Sequence, residues 1–422
     1  MNELDAPSPT PPAPPLPHIE TYGVGWARVR LSKRLGLAAV ASAGGALVAN
    51  AVTSAFGWYG FGQLSGSVLL LATVVMLLIS FIIWFSRASY PGAVTFDALG
   101  LNVLRGGVMR RVERSQVASA YVVARYVRGG FAPTVEMELE GGDLVSFEVP
   151  SEELAHRIVD DLGFGRGKKR VHIGLGSPAR RLYHLLLGIV AYYAGSFVAI
   201  PMVLLHGSLG RATGLWGLVS AAAMVGTYFL LRSLLRAPEV TIGDDGVFYR
   251  AGRKRRFLPG GAITGVEQSS VALPLLLRSM TEKTIAIHGT ALDLERRGAV
   301  ARLAYERFIA PVASADQGAS QFARGGRTLA AWRDHLRTRL GDVGYRESAR
   351  PVDVATAVLR SPRSSNDERV GAALALRVAG EPQERIRIAA SAAADDDLRV
   401  ALETIAEVDD DVAIDRVLRK LR

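Results

Sequence analysis

The chain has 422 residues, 49% of them hydrophobic, with a mean hydropathy of +0.20 and 50 Lys+Arg against 40 Asp+Glu, a formal charge of +10. That length holds two or three domains, and that hydropathy is high for a water-soluble globular chain. Cysteine is absent, which excludes disulfides, thiolate metal sites and a cysteine nucleophile.

The first stretch, MNELDAPSPTPPAPPLP, has no basic region followed by an apolar run, so it does not read as a signal peptide. Its prolines predict a solvated, extended tail over 1–27; PPAPPLP also fits a PxxP ligand. Residues 35–57 and 66–86 are apolar and free of charge, and 182–205 and 212–231 form a second such pair. Runs of about twenty apolar residues predict membrane-spanning helices, here four spans as two hairpins over 35–86 and 181–236. Arg28, Arg30, Lys33, Arg34 and Arg87 flank the first pair; Arg166, Lys168, Lys169, Arg170, Arg180, Arg181, Arg232 and Arg236 flank the second. The positive-inside rule then puts both termini and the region between the hairpins in the cytoplasm. The expected location is the inner membrane of a bacterial cell, as a multi-pass protein. No ionisable residue falls at mid-span, which argues against a proton-coupled pump. Asn50 is a polar group in the first span, and Pro201 would kink the third.

Between and after these pairs the chain repeats itself. VTFDALGLNVLRGGVMRR from Val94 is echoed by VTIGDDGVFYRAGRKRR from Val240, a shift of 146 positions that also maps Gly100 to Gly246, Gly106 to Gly252, Arg110 to Arg256 and Val117 to Ile263. A shared register over many elements indicates a duplicated unit. Each copy, 90–163 and 238–311, reads as successive hairpins with alternating apolar residues and glycine turns. An amphipathic helix follows. In the first copy it starts after Ser151, a helix N-cap by type, with Leu154, Ile158 and Leu162 on one face. The same shift carries this helix from 152–162 to 298–308.

A row of hairpins closed by one helix, next to an apolar hairpin, resembles the bacterial PH-like domain family. The resemblance rests on VTFDALGLNVLRG and VTIGDDGVFYRAG, and it implies a membrane-proximal scaffolding or interaction unit with no catalytic residues to transfer. Each copy carries basic residues on the same hairpin: Arg110, Arg111 and Arg114 in the first; Arg253, Lys254, Arg255 and Arg256 in the second. These are candidates for contact with anionic lipid headgroups; a solvated basic face is the competing reading.

After a linker at 312–326, residues 327–422 are helical by pattern. Leu329, Trp332, Leu336 and Leu340 share one face, set either against a membrane surface or against the following helices. DERVGAALALRVAG is answered by DDLRVALETIAEVD, about thirty residues on, and the aspartates at 395–397 and 409–411 fall at helix starts. The region resembles HEAT-like repeats, which mostly bind proteins, although a small helical bundle fits equally. From Arg350 onward the balance is negative, 12 Lys+Arg against 14 Asp+Glu, which speaks against nucleic acid as a partner.

GFGRGKKR at 163–170 is similar to a P-loop but lacks the Ser/Thr after its lysine. No HExxH, GxSxG or EF-hand pattern occurs. The expectation is an inner-membrane scaffold or interaction protein, without cofactor, metal or catalysis. In this reading the integral membrane and anionic headgroups are partners, and the helical tail recruits a protein. A regulatory or structural part of a transport system, or an unrecognised membrane-bound enzyme, are the alternatives.

Overall fold

The computed structural model describes residues 19–27, 90–175, 238–310, 319–341 and 350–421, apart from a few positions within them, and scattered helical residues within 34–79 and 219–230. Its framework is antiparallel sheet followed by helices. The first module contains β1 (Ile19–Ala27), β2 (Tyr90–Asp97), β3 (Gly100–Arg105), β4 (Val108–Glu113), β5 (Val117–Val127), β6 (Gly130–Leu139), β7 (Leu144–Glu148) and helix α1 (Glu152–Asp161). These strands form one seven-stranded sheet in the order β4-β3-β2-β1-β7-β6-β5. β1 makes this possible. Its first half pairs with β2 (Ile19 with Val94) and its second half with β7 (Trp26 with Val145), so it bridges two ladders. Residues 19–27, read from sequence as part of a solvated tail, are therefore a strand at the middle of the sheet. Ser151 caps α1 as its type predicts, its Oγ accepting from Leu154 N at 3.2 Å, and Ala155, Ile158 and Val159 of that helix are buried.

The second module repeats the plan with β8 (Val171–Gly174), β9 (Glu239–Ile242), β10 (Gly246–Ala251), β11 (Lys254–Pro259), β12 (Ile263–Glu267), β13 (Leu275–Ser279), β14 (Ile285–Ile287) and α2 (Leu294–Ala304). The 146-residue shift is written into the hydrogen bonding. Gly100 pairs with Glu113 and Gly246 with Pro259. Arg114 N donates to Leu99 O, and Gly260 N to Asp245 O. Both copies slip register at the same place, between Val117 and Ser119 and between Ile263 and Gly265. Beyond that bulge the shift falls to 140: Met137 faces Val145, and Leu277 faces Ile285. A shortened hairpin accounts for the change, and the helix begins earlier than the 146-residue shift places it: α2 runs from Leu294 to Ala304 and continues as a π-turn over Tyr305–Ile309.

Among the described residues no helix is long and apolar enough to cross a membrane. This overturns the four-span fold class, the multi-pass reading and the inner-membrane location. The expected span 182–205 lies outside the described residues, as do Asn50 and Pro201, and the other three spans are described only in part. The physical reason is that an apolar run gives composition along the chain and not how far one helix continues. Here Ser42 Oγ donates to Leu69 O at 2.9 Å, and a Cβ on Gly45 would touch the Leu69 side chain, so these two stretches pack on each other.

The two modules share one core, running from Val24 and Phe147 through Ile173 and Ile242 to Val300. Their seam is polar as well. Ser119, fully buried at the β5 bulge, donates from Oγ to His172 O at 2.8 Å and accepts from His172 N at 2.9 Å. One hydroxyl thus satisfies both backbone groups of a β8 residue. Ser119→Ala is expected to lower stability by about 1–3 kcal/mol by stranding those groups, as denaturant unfolding would read.

The C-terminal helices are α3 (Leu329–Gly341), α4 (Pro351–Arg360), α5 (Asn366–Val378), α6 (Gln383–Ala392), α7 (Asp396–Glu407) and α8 (Asp411–Leu418). They enclose a second core. α5 is central and buried from Arg369 to Leu376. Leu329, Trp332 and Leu336 of α3 are buried in this core, so the α3 face packs on protein. Trp332 Nε1 donates to Phe322 O at 3.1 Å, and Gly371 of α5 leaves no room for a Cβ beside Phe322 O. Arg324–Asp415 at 3.1 Å and Arg333–Asp411 tie the α3 segment to α8.

Candidate functional site: a buried junction and two basic hairpins

The densest set of buried charges lies where three parts of the chain meet. One is the β9–β10 turn, Gly243-Asp244-Asp245. The second is the segment Phe164–Arg170 leading into β8. The third is the α6–α7 turn at 391–396. The two aspartates of this turn point inward: Asp244 is 8% and Asp245 3% exposed. Asp245 accepts from Ala394 N at 2.5 Å and Asp395 N at 2.8 Å, one amide to each carboxylate oxygen. It therefore caps the approach to α7, where backbone N–H groups lack helical partners. Asp244 N donates to Ala392 O at 2.9 Å. A Cβ on Gly243 would fall 2.3 Å from Ala394 N, so only glycine lets the two backbones meet.

Two buried arginines complete the joint. Arg369, from α5, donates to Asp244 O at 2.8 Å and to Leu359, Ser361 and Ser364 carbonyls. Arg307, just past α2, reaches Asp244 Oδ1 at 3.4 Å, Ile242 O at 3.2 Å, Phe164 O at 3.4 Å and Lys169 O at 3.3 Å. Ser391 accepts from Arg170 N and donates to Lys168 O, while Arg170 pairs with Asp396 at 3.0 Å. The P-loop-like segment is thus a structural strap. Burial pushes the Asp245 carboxyl up, against the opposing pull of Arg369 and the two amides. Burial likewise lowers Arg369, against Asp245 and Asp244.

A second buried cluster sits on the seam between the modules. Glu136 on β6 accepts from Tyr121 OH at 2.9 Å, Arg125 at 2.7 Å and Arg296 of α2 at 3.0 Å. Arg296 also donates to Gly174 O at 2.8 Å. Burial alone would raise Glu136; Arg296 and Arg125 more than offset it and hold the carboxyl below the usual range. Burial pushes the Tyr121 hydroxyl well up.

The sequence-predicted basic residues do not form one surface. Gly106 and Gly107, both at positive φ (53° and 81°), make the tight β3–β4 turn. Arg110 stacks over the Trp26 ring at 4.9 Å. Arg111 pairs with Asp97 at 3.3 Å, and Arg114 lies past the end of β4, beside the β2–β3 turn at the far end of the hairpin. Lys254, Arg255 and Arg256 are exposed on β11, the free edge of its sheet, with no ion pair among the described residues; Arg253 lies outside them. Register makes Arg110 and Arg256 equivalent, opposite Val103 and Tyr249. The two tips differ in kind: Val108 and Met109, both well exposed, stand where the second copy has Lys254 and Arg255.

Sequence reasoning missed the junction residues Asp244, Asp245, Arg307 and Arg369, and Glu136. One signal was present: the second copy has Asp-Asp where the first has Ala98-Leu99. Among the described residues no group of three or more His, Asp or Glu could hold a metal ion. A cavity of 190 Å³ lies between β5, β6 and the start of α1, lined by Val122, Phe131, Pro133, Ser151 and Arg302. Its one hydroxyl, that of Ser151, is engaged as the helix cap. Compared with protein-family models, curated proteins and solved structures, the chain matches none.

Proposed function

We propose that this chain is a binding platform with no catalytic step of its own: two PH-like β-modules and a helical bundle held as one body, presenting separate surfaces to separate partners. The observation that carries this reading is the placement of charge. The buried charges at the junction join the second module to the bundle, and those at Glu136 join the two modules to each other. Those on β11 point to solvent.

In this reading Lys254, Arg255 and Arg256 meet anionic phospholipid headgroups, each cation adding about 1 kcal/mol near such a surface. The helical bundle takes a protein partner, with Val400 and Val412, exposed apolar residues of α7 and α8, as contact points. Replacing Lys254, Arg255 and Arg256 by Gln is expected to weaken sedimentation of the full chain with phosphatidylglycerol vesicles by about tenfold or more. The fold would be kept, because these side chains are exposed. Unchanged sedimentation would remove the headgroup assignment.

A further inference from the structure

The duplication writes the same hairpin twice and changes its tip. Val108 and Met109 of β4 stand where β11 has Lys254 and Arg255, and they are 57% and 65% exposed. A single exposed apolar side chain is ordinary; here two adjoin at the end of a projecting hairpin. The turn beside them, Gly106-Gly107, carries no side chain, and a Cβ on either glycine would meet nothing within 4 Å. β4 is also the outermost strand of its sheet.

Cross-strand register gives this tip two apolar faces. Paired residues share a face, and neighbours along a strand alternate. Val108 lies opposite Arg105, and Met109 opposite Leu104. Val108 therefore projects from the face that carries Leu101, Val103 and Val112, all buried further along the hairpin. Met109 projects from the other face, with half-buried Leu104. A flat protein surface covers one face of a ribbon. A ribbon end that is apolar on both faces is a wedge, and a lipid layer surrounds a wedge on every side.

Behind the tip the composition changes. Arg110 stacks over the Trp26 ring at 4.9 Å, and Arg105 over the Tyr90 ring at 4.8 Å while donating to Trp26 O at 3.3 Å. Trp26 stands near the end of β1 and Tyr90 opens β2, so both rings lie at the tip end of the sheet. Trp, Tyr and Arg are the side chains that settle at the headgroup level of a bilayer, where a ring meets apolar and wet surroundings together. An apolar apex followed by rings and cations repeats the order of layers met on entering a bilayer from within. Two side chains also offer far less than the roughly 800 Å² per partner of a stable protein interface.

We propose that the β3–β4 tip inserts into the surface of an anionic phospholipid layer. Val108 and Met109 enter the acyl region; Trp26, Tyr90, Arg105 and Arg110 stay at headgroup level. The proposal rests on the reading of the chain as a lipid-contacting platform and adds depth to that contact.

The chain has no cysteine, so Met109→Cys carries a single environment-sensitive dye, NBD. The labelled full chain is mixed with phosphatidylglycerol vesicles, with and without a quencher fixed to the acyl chains. The expected result is a blue shift on mixing and quenching by the acyl-chain probe. Val108→Ser/Met109→Ser, which changes only exposed positions, is expected to weaken sedimentation with these vesicles about tenfold at unchanged thermal stability. A chain that sediments while its dye neither shifts nor is quenched would overturn insertion and leave the β11 headgroup contact standing, as would undiminished sedimentation of the double variant. A chain that does not sediment would overturn both. A dye shift that needs no vesicles and grows with protein concentration would give the tip to a second copy and overturn insertion.

Discussion

Asp245→Ala is expected to release the helical bundle from the second module. The substitution removes the acceptor for the Ala394 and Asp395 amides and leaves Arg369, 2% exposed, facing a site that has lost a negative charge. Each of the two amides left without its acceptor costs about 1–3 kcal/mol, together a large share of a domain's stability. The loss should be local first. Hydrogen exchange at Ala394 and Asp395 should accelerate, and α4–α8 should unfold at lower denaturant than the modules, which keep their own core. A single unfolding transition with wild-type midpoint would show that the aspartate contributes nothing to the joint.

Glu136→Gln should act at the other seam. Arg125 and Arg296 would keep their places with no carboxylate between them, at a cost of about 3 kcal/mol. Its signature is a pH dependence. The folded-state value of Glu136 lies below its unfolded value. Its contribution is therefore present above the ordinary glutamate range and lost as pH falls through the folded-state value. The stability gap between wild type and Glu136→Gln should be widest near neutrality and close in acid. Asp245 has the opposite sign, since burial raises it, and its ionisation costs stability as pH rises past the usual aspartate value. Denaturant melts of both proteins across the acid range would separate the two; a gap independent of pH would deny Glu136 its role as an ionised group.

Much of the module architecture was readable from local pattern. The alternation through Val135, Met137 and Leu139, the glycine turns and the Ser151 cap all describe neighbours in sequence. The caps of the helical region were legible for the same reason: Asp395 accepts from Asp397 N and Asp410 from Val412 N. β1 and β8 were not recognised, because each pairs with a strand more than sixty residues away and β1 directly follows a proline run. Alternation was present in β8, with Val171 and Ile173 buried, while Gly23, Val24 and Gly25 of β1 are buried in succession; a short strand carries meaning only beside its partner. The apolar runs misled in the other direction, since composition reports that a helix avoids water and not what covers it. The basic residues were grouped by closeness in sequence, and the hairpin separates them: Arg110 turns to Trp26, while Arg111 and Arg114 stand at the β2–β3 turn.

We propose that the chain acts by holding partners on a fixed platform, with the helical bundle as its protein-binding surface. The direct measurement is affinity purification from native cells, comparing the full chain with Val400→Asp/Val412→Asp, whose changes sit on exposed positions and leave the junction intact. Discrete proteins should accompany the full chain and be lost with the double variant, at unchanged thermal stability. The same proteins recovered with both, or none with either, would contradict it.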